Sequence, residues 1–73
     1  MDELTLRIWR AIWEDVTAAE GNFDASIAES ALIDGAYLGQ LKARFSVSDE
    51  ELQAIAEYLY SNVYNLDYNG KIS

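Results

Sequence analysis

Apolar residues return every three or four positions from Leu4 to Val16, a period that predicts an α-helix starting after Asp2 and running to about Glu20. Asp2 is a good N-cap, and Gly21-Asn22 ends the helix because both residues tolerate the left-handed conformation. Leu4, Leu6, Ile8, Trp9, Ile12, Trp13 and Val16 fill an apolar arc of roughly 200°. Glu3, Arg7, Arg10, Glu14 and Thr17 form the remaining polar stripe, with Glu3–Arg7 and Arg10–Glu14 spaced for i,i+4 ion pairs. Such an arc is wider than one contact face requires. The first helix is therefore expected at the centre of a bundle or against a second chain.

The pattern then resumes after Asp24, a second N-cap, and extends towards Phe45 without keeping one phase. Ile27, Ala28, Ala31 and Leu32 share one side, whereas Tyr37, Leu38, Leu41 and Phe45 share a side turned from it. A kink or break near Asp34-Gly35 reconciles the two. Ala31, Gly35, Gly39 and Ala43 also recur every fourth residue, a smooth strip expected to pack closely inside the chain, with a dimer seam as the alternative. The third helix has the clearest start. Ser48 and Glu51 make a capping box, Val47 and Leu52 a hydrophobic staple, and Leu52, Ile55, Ala56, Leu59, Tyr60 and Val63 one apolar face. The pattern thus predicts an all-α fold, a small bundle of three helices with the second kinked or broken. A single helical domain spans 1–64, and 65–73 is expected to be an irregular C-terminal tail.

Composition narrows the function. With 73 residues the chain sits near the lower size limit for independent folding, where a domain buries about 60% of its unfolded surface. The hydrophobic fraction of 51% still argues for a folded core. No apolar run reaches the ~18 residues of a membrane span, and Met1-Asp2-Glu3 does not read as a secretory signal. Cysteine is absent, which makes a cytoplasmic setting the expectation.

Thirteen acidic residues stand against five basic ones, a net charge of -8, and there is no histidine. Such a field repels nucleic acid and anionic membranes and attracts basic protein surfaces. The chemistry of catalysis is missing: no Ser–His or Cys–His pair, no phosphate-binding glycine loop, no zinc-ligand cluster and no cofactor motif. A helix-turn-helix drawn through Ser46-Val47-Ser48 would place Asp49-Glu50-Glu51 at the start of its recognition helix, against DNA binding. No enzymatic activity is expected.

One segment has the spacing of a metal loop. Asn65, Asp67 and Asn69 fall where ligands would, followed by Gly70 and the apolar Ile72, so Asn65–Ser73 resembles the first nine positions of an EF-hand calcium loop. The first ligand is Asn where Asp is usual, and the bidentate glutamate position is not reached. A polar tail with an Asn-Gly turn, holding no metal, is the preferred reading, and weak calcium binding through these three residues the minor alternative.

Some acids have local structural reasons: Asp2 and Asp24 as caps, Asp49–Glu51 on a helix dipole, Glu3 and Glu14 beside arginines. Asp15, Glu20, Glu29, Asp34 and Glu57 have none in the sequence. The leading expectation is a non-enzymatic module that docks on the basic surface of a larger protein. Its candidate contacts are Glu14, Asp15, Glu20, Asp24, Glu29, Asp34 and Glu57, with Tyr58 and Tyr64 as exposed aromatic anchors. In size and charge the chain resembles several phage-encoded inhibitors of bacterial defence systems, a likeness of type carried by no specific motif. That likeness implies occupation of a basic nucleic-acid-binding groove. The competing expectation is a structural subunit, a homodimer formed through Leu6, Trp9 and Trp13.

Overall fold

Every α-helix in the chain begins where a short polar side chain captures the free amides of the first turn. The computed structural model describes residues Met1–Ser73, with helices α1 (Glu3–Glu20), α2 (Ala25–Ala31), α3 (Gly35–Phe45) and α4 (Asp49–Asn62). Asp2 accepts from the amide of Thr5 at 2.8 Å, Asp24 from that of Ser26 at 2.9 Å and Ser48 from that of Glu51 at 3.1 Å. Asp34 takes two, from Ala36 at 2.9 Å and Tyr37 at 3.2 Å.

The Asp34 cap explains why there are four helices. The long second segment separates into α2 and α3 at the place the change of phase indicated. After Ala31 the chain tightens, with Ile33 and Asp34 donating to the carbonyls of Ser30 and Ala31, before Asp34 turns extended and starts α3. α1 stops at Gly21, whose φ of 86° only glycine adopts without strain. α3 stops at Ser46, which holds a left-handed φ of 54° although it is not glycine.

The core is one cluster fed by every element. Ile8, Trp9, Ile12 and Val16 come from α1, Ala28 and Leu32 from α2 and its cap, Leu41 from α3, and Leu52, Ile55, Ala56 and Leu59 from α4. Val47, Val63 and Leu66 add the connecting segments. Tyr60 departs from its expected place on the buried face of α4 and lies exposed, because that face is already closed by Leu52, Ala56 and Leu59. The small-residue strip departs too. Gly35, Gly39 and Ala43 are exposed, and a methyl group built on either glycine would meet nothing within 4 Å. No helix of this chain packs on that strip.

The tail is ordered rather than irregular. A 3₁₀ turn (Val63–Asn65) leads into a closed hairpin with an antiparallel bridge between Leu66 and Ile72. Asp67 organises it: one carboxylate oxygen accepts from the amides of Asn69 and Lys71, both at 2.9 Å, while the Asp67 carbonyl accepts from Gly70 at 2.9 Å. The hairpin lies on α1. The Trp9 indole nitrogen donates to the Asp67 carbonyl at 2.8 Å, Tyr68 meets Trp13 edge-on at 5.8 Å, and Gly70 approaches the side chains of Met1 and Leu6. Phe23 stacks on the Trp13 ring at 3.7 Å and 5°. This intrachain cover accounts for the wide apolar arc.

Two stability measurements follow. Ser46→Gly should raise the unfolding free energy read from urea titration by about 0.5–1 kcal/mol, since glycine relieves the left-handed strain at some entropic loss. Trp9→Phe removes the indole donor and part of the ring, and should lower stability by about 1–3 kcal/mol in the same urea experiment.

Candidate functional site

The candidate contacts are carboxylates, so what holds each one decides what it can do. None of the acidic side chains is buried. Asp15, on α1, has the most elaborate setting. Its Oδ2 accepts from the Tyr37 hydroxyl at 2.5 Å and from Arg44 Nη1 at 2.8 Å, joining α1 to α3. Glu14 accepts from the Tyr68 hydroxyl at 2.7 Å and Glu29 from the Tyr64 hydroxyl at 3.1 Å. Asp24 and Asp34 cap helices, and Asp24 also accepts from the Ser26 hydroxyl at 2.7 Å. Glu20 and Glu57 are exposed and take part in no ion pair or side-chain hydrogen bond of the chain.

Asp15 and Glu29 therefore have structural partners that the local sequence did not reveal, and Asp34 has a local one as a helix cap. Tyr37 and Arg44 stand 22 and 29 residues from Asp15, and Tyr64 stands 35 from Glu29. The Asp34 cap was readable in principle, since aspartate before a helix start is the ordinary capping signal. The i,i+4 pairs expected on α1 are absent. The ion pairs that form are Lys42–Asp49 at 3.0 Å and Arg44–Asp15 at 2.8 Å. Arg7 instead lies over the Phe45 ring at 5.7 Å, and Arg10 over the Tyr68 ring at 5.0 Å. A flat guanidinium gains more on an aromatic face than in an exposed pair screened by water.

These contacts shift protonation in consistent directions. The Tyr37 hydroxyl is pushed well above the ordinary phenol range, first by its partial burial and then by the Asp15 carboxylate it donates to. Tyr64 and Tyr68 are raised chiefly by donating to Glu29 and Glu14. Arg44 is raised by Asp15. Asp2 and Asp24 are lowered, chiefly by the hydroxyls of Thr5 and Ser26. A phenol that holds its proton this firmly is a poor acid or base at neutral pH, so the Asp15–Tyr37–Arg44 group reads as a clamp between helices.

The aromatic and apolar candidates divide. Tyr58 (39% exposed) and Tyr64 (62%) are available at the surface. Trp9 is fully enclosed, and Trp13 and Leu6 are partly covered by Phe23, Tyr68 and Gly70. The face proposed for self-association is thus occupied by the chain's own hairpin. The calcium candidates meet a similar obstacle. Asn69 Oδ1 accepts from Arg10 Nη2 at 3.0 Å, so a guanidinium already lies beside the loop, and its positive charge opposes a dication. Nowhere do three or more His, Cys, Asp or Glu side chains converge as metal ligands.

Compared with known proteins, the chain matches no family profile, no curated protein and no solved structure. No helix is long and apolar enough to cross a membrane.

The tyrosine shifts set a pH dependence. In the unfolded chain a phenol ionises near pH 10, whereas folded Tyr37 keeps its proton higher, so this stability is intact below about pH 10 and lost as pH rises beyond it. Tyr64 and Tyr68 act in the same direction. Tyr37→Phe should flatten the fall of the urea midpoint above about pH 10, and absorbance titration should show one late-ionising tyrosine missing.

Proposed function

We propose that the chain is a non-enzymatic binding module that docks through its acidic surface on a basic face of a larger protein. The observation that carries this reading is the distribution of charge in the folded chain. Thirteen acidic residues meet five basic ones, all of the acids reach the surface, and only Asp15 and Asp49 are neutralised by an ion pair. A small domain with that imbalance repels itself, which disfavours compaction, and attracts cationic surfaces over about one Debye length, ~8 Å at physiological salt. A basic groove shaped for nucleic acid is the sharpest form of such a partner, since it already orders cations to meet a row of negative groups. Inhibition of a nucleic-acid-handling protein would then follow from simple competition.

Glu20 and Glu57 are the best residues for a test, because no contact within the chain depends on them. Host proteins would be captured on the immobilised wild-type chain and on a Glu20→Lys, Glu57→Lys variant whose circular dichroism is unchanged. The expected partner is retained by the wild type, released as salt rises, displaced by added DNA and lost from the variant. A partner that stays bound at about 1 M salt, where the Debye length is ~3 Å, and binds the variant equally well would overturn the reading.

A further inference from the structure

The packing of α3 against α4 leaves a trough that runs past the α2–α3 break. Its first part, lined by Gly35, Leu38, Gly39, Leu52 and Gln53, has a volume of about 270 Å³. Its second part, lined by Leu32, Ile33, Ala56, Glu57 and Tyr60, has a volume of about 360 Å³, and Gln53 borders both. Leu32, Leu52 and Ala56 are buried and make an apolar floor. Ile33, 69% exposed, and Tyr60, 41% exposed, stand up beside it with nothing of the chain over them. From Asp49 to Ser61 the trough follows about 18 Å of α4, the length of some three helical turns. On the α3 side the two glycines present bare backbone, so an incoming helix can approach more closely than side chains would permit.

The charge around the trough selects its occupant. Lys42 is the one cation lining it, and Asp49 neutralises it at 3.0 Å. Glu57 lines the second part without an ion-pair partner, Asp34 is exposed between Ile33 and Gly35, and Glu50 is exposed one helical turn before Gln53. A second copy of the chain would bring another net charge of -8 against this rim. Like charges of that size oppose each other, whereas lysine and arginine are drawn in.

We infer that the trough docks a basic amphipathic helix of a partner protein. The apolar stripe of that helix lies on Leu38, Leu52, Ile33 and Tyr60, and its flanking Lys or Arg side chains reach Glu57, Asp34 and Glu50. The inference rests on the acidic-binding reading above and adds where on the chain, and by what kind of segment, the partner is held.

A synthetic helix of Leu, Ala and Lys, with leucines at i, i+3, i+4 and i+7, is the probe, and amide NMR shifts with titration calorimetry are the readouts. Gly39→Leu is the blocking variant. It fills open space, and leucine favours helix over glycine, so the fold is retained. The expected result is a set of shifts confined to the trough, with binding weakened about tenfold or more by Gly39→Leu and several-fold by Glu57→Lys. Glu3→Lys, an exposed position at the start of α1 and outside the trough, should change affinity by less than about twofold. Salt-sensitive binding that ignores Gly39→Leu, with shifts spread over the surface, overturns the trough and leaves the general acidic reading standing. Binding that Gly39→Leu abolishes but salt and Glu57→Lys leave unchanged overturns the charge selection and that reading with it. A probe-free dimer broken by Gly39→Leu overturns the inference in favour of a second copy, and so does the absence of any probe binding in favour of an idle surface.

Discussion

Burying an indole in a chain this small sets a condition that the rest of the fold has to meet. Trp9 is the largest side chain of the core and has no exposed surface, so its N–H must find an acceptor inside the protein. The backbone carbonyls of α1 point along its own axis and are taken up by the helix. The acceptor comes from Asp67, 58 residues away, and only if the C-terminal segment folds back across α1. That hairpin brings Leu66 into the core, sets Tyr68 against Trp13 and gives Arg10 a ring to rest on. The apolar arc of α1, too wide for one neighbour, acquires two: the other helices on one flank and the hairpin on the other.

Charge is handled by the same economy of contacts. With few basic residues available, the chain holds Glu14 and Glu29 by hydroxyl donors alone and Asp15 by a hydroxyl together with Arg44. Tyr37, Tyr64 and Tyr68 each donate to one acid, and each bond joins elements distant in sequence. A hydroxyl bond fixes a carboxylate without cancelling it, so the surface keeps its negative field while the fold gains cross-links. The arginines that could have neutralised α1 lie over Phe45 and Tyr68.

Much of this was legible in the residues. Capping and periodicity located α1, the break at Asp34-Gly35 and the start of α4, because those signals act within a turn of helix. The hairpin was not, since Asn69-Gly70 announces a turn but not what the turn packs on. Nor were the partners of Asp15 and Glu29, which tertiary folding brings from other helices. The strip of Gly35, Gly39 and Ala43 misled for a related reason: small residues at helical spacing show that close packing is permitted, not that the chain supplies the packing helix. For the surface, sequence gave the total charge, and only the folded chain shows Glu20 and Glu57 as acids with no internal task.

The tyrosine-held acids also bear on the entropy of association. A glutamate free in solvent samples several rotamers, and freezing a flexible side chain at an interface costs about 0.5–1.5 kcal/mol. Glu14 and Glu29 are already held by Tyr68 and Tyr64 before any cation arrives. Much of their ordering is completed during folding, so a cation meeting them finds preorganised groups rather than a diffuse cloud of charge.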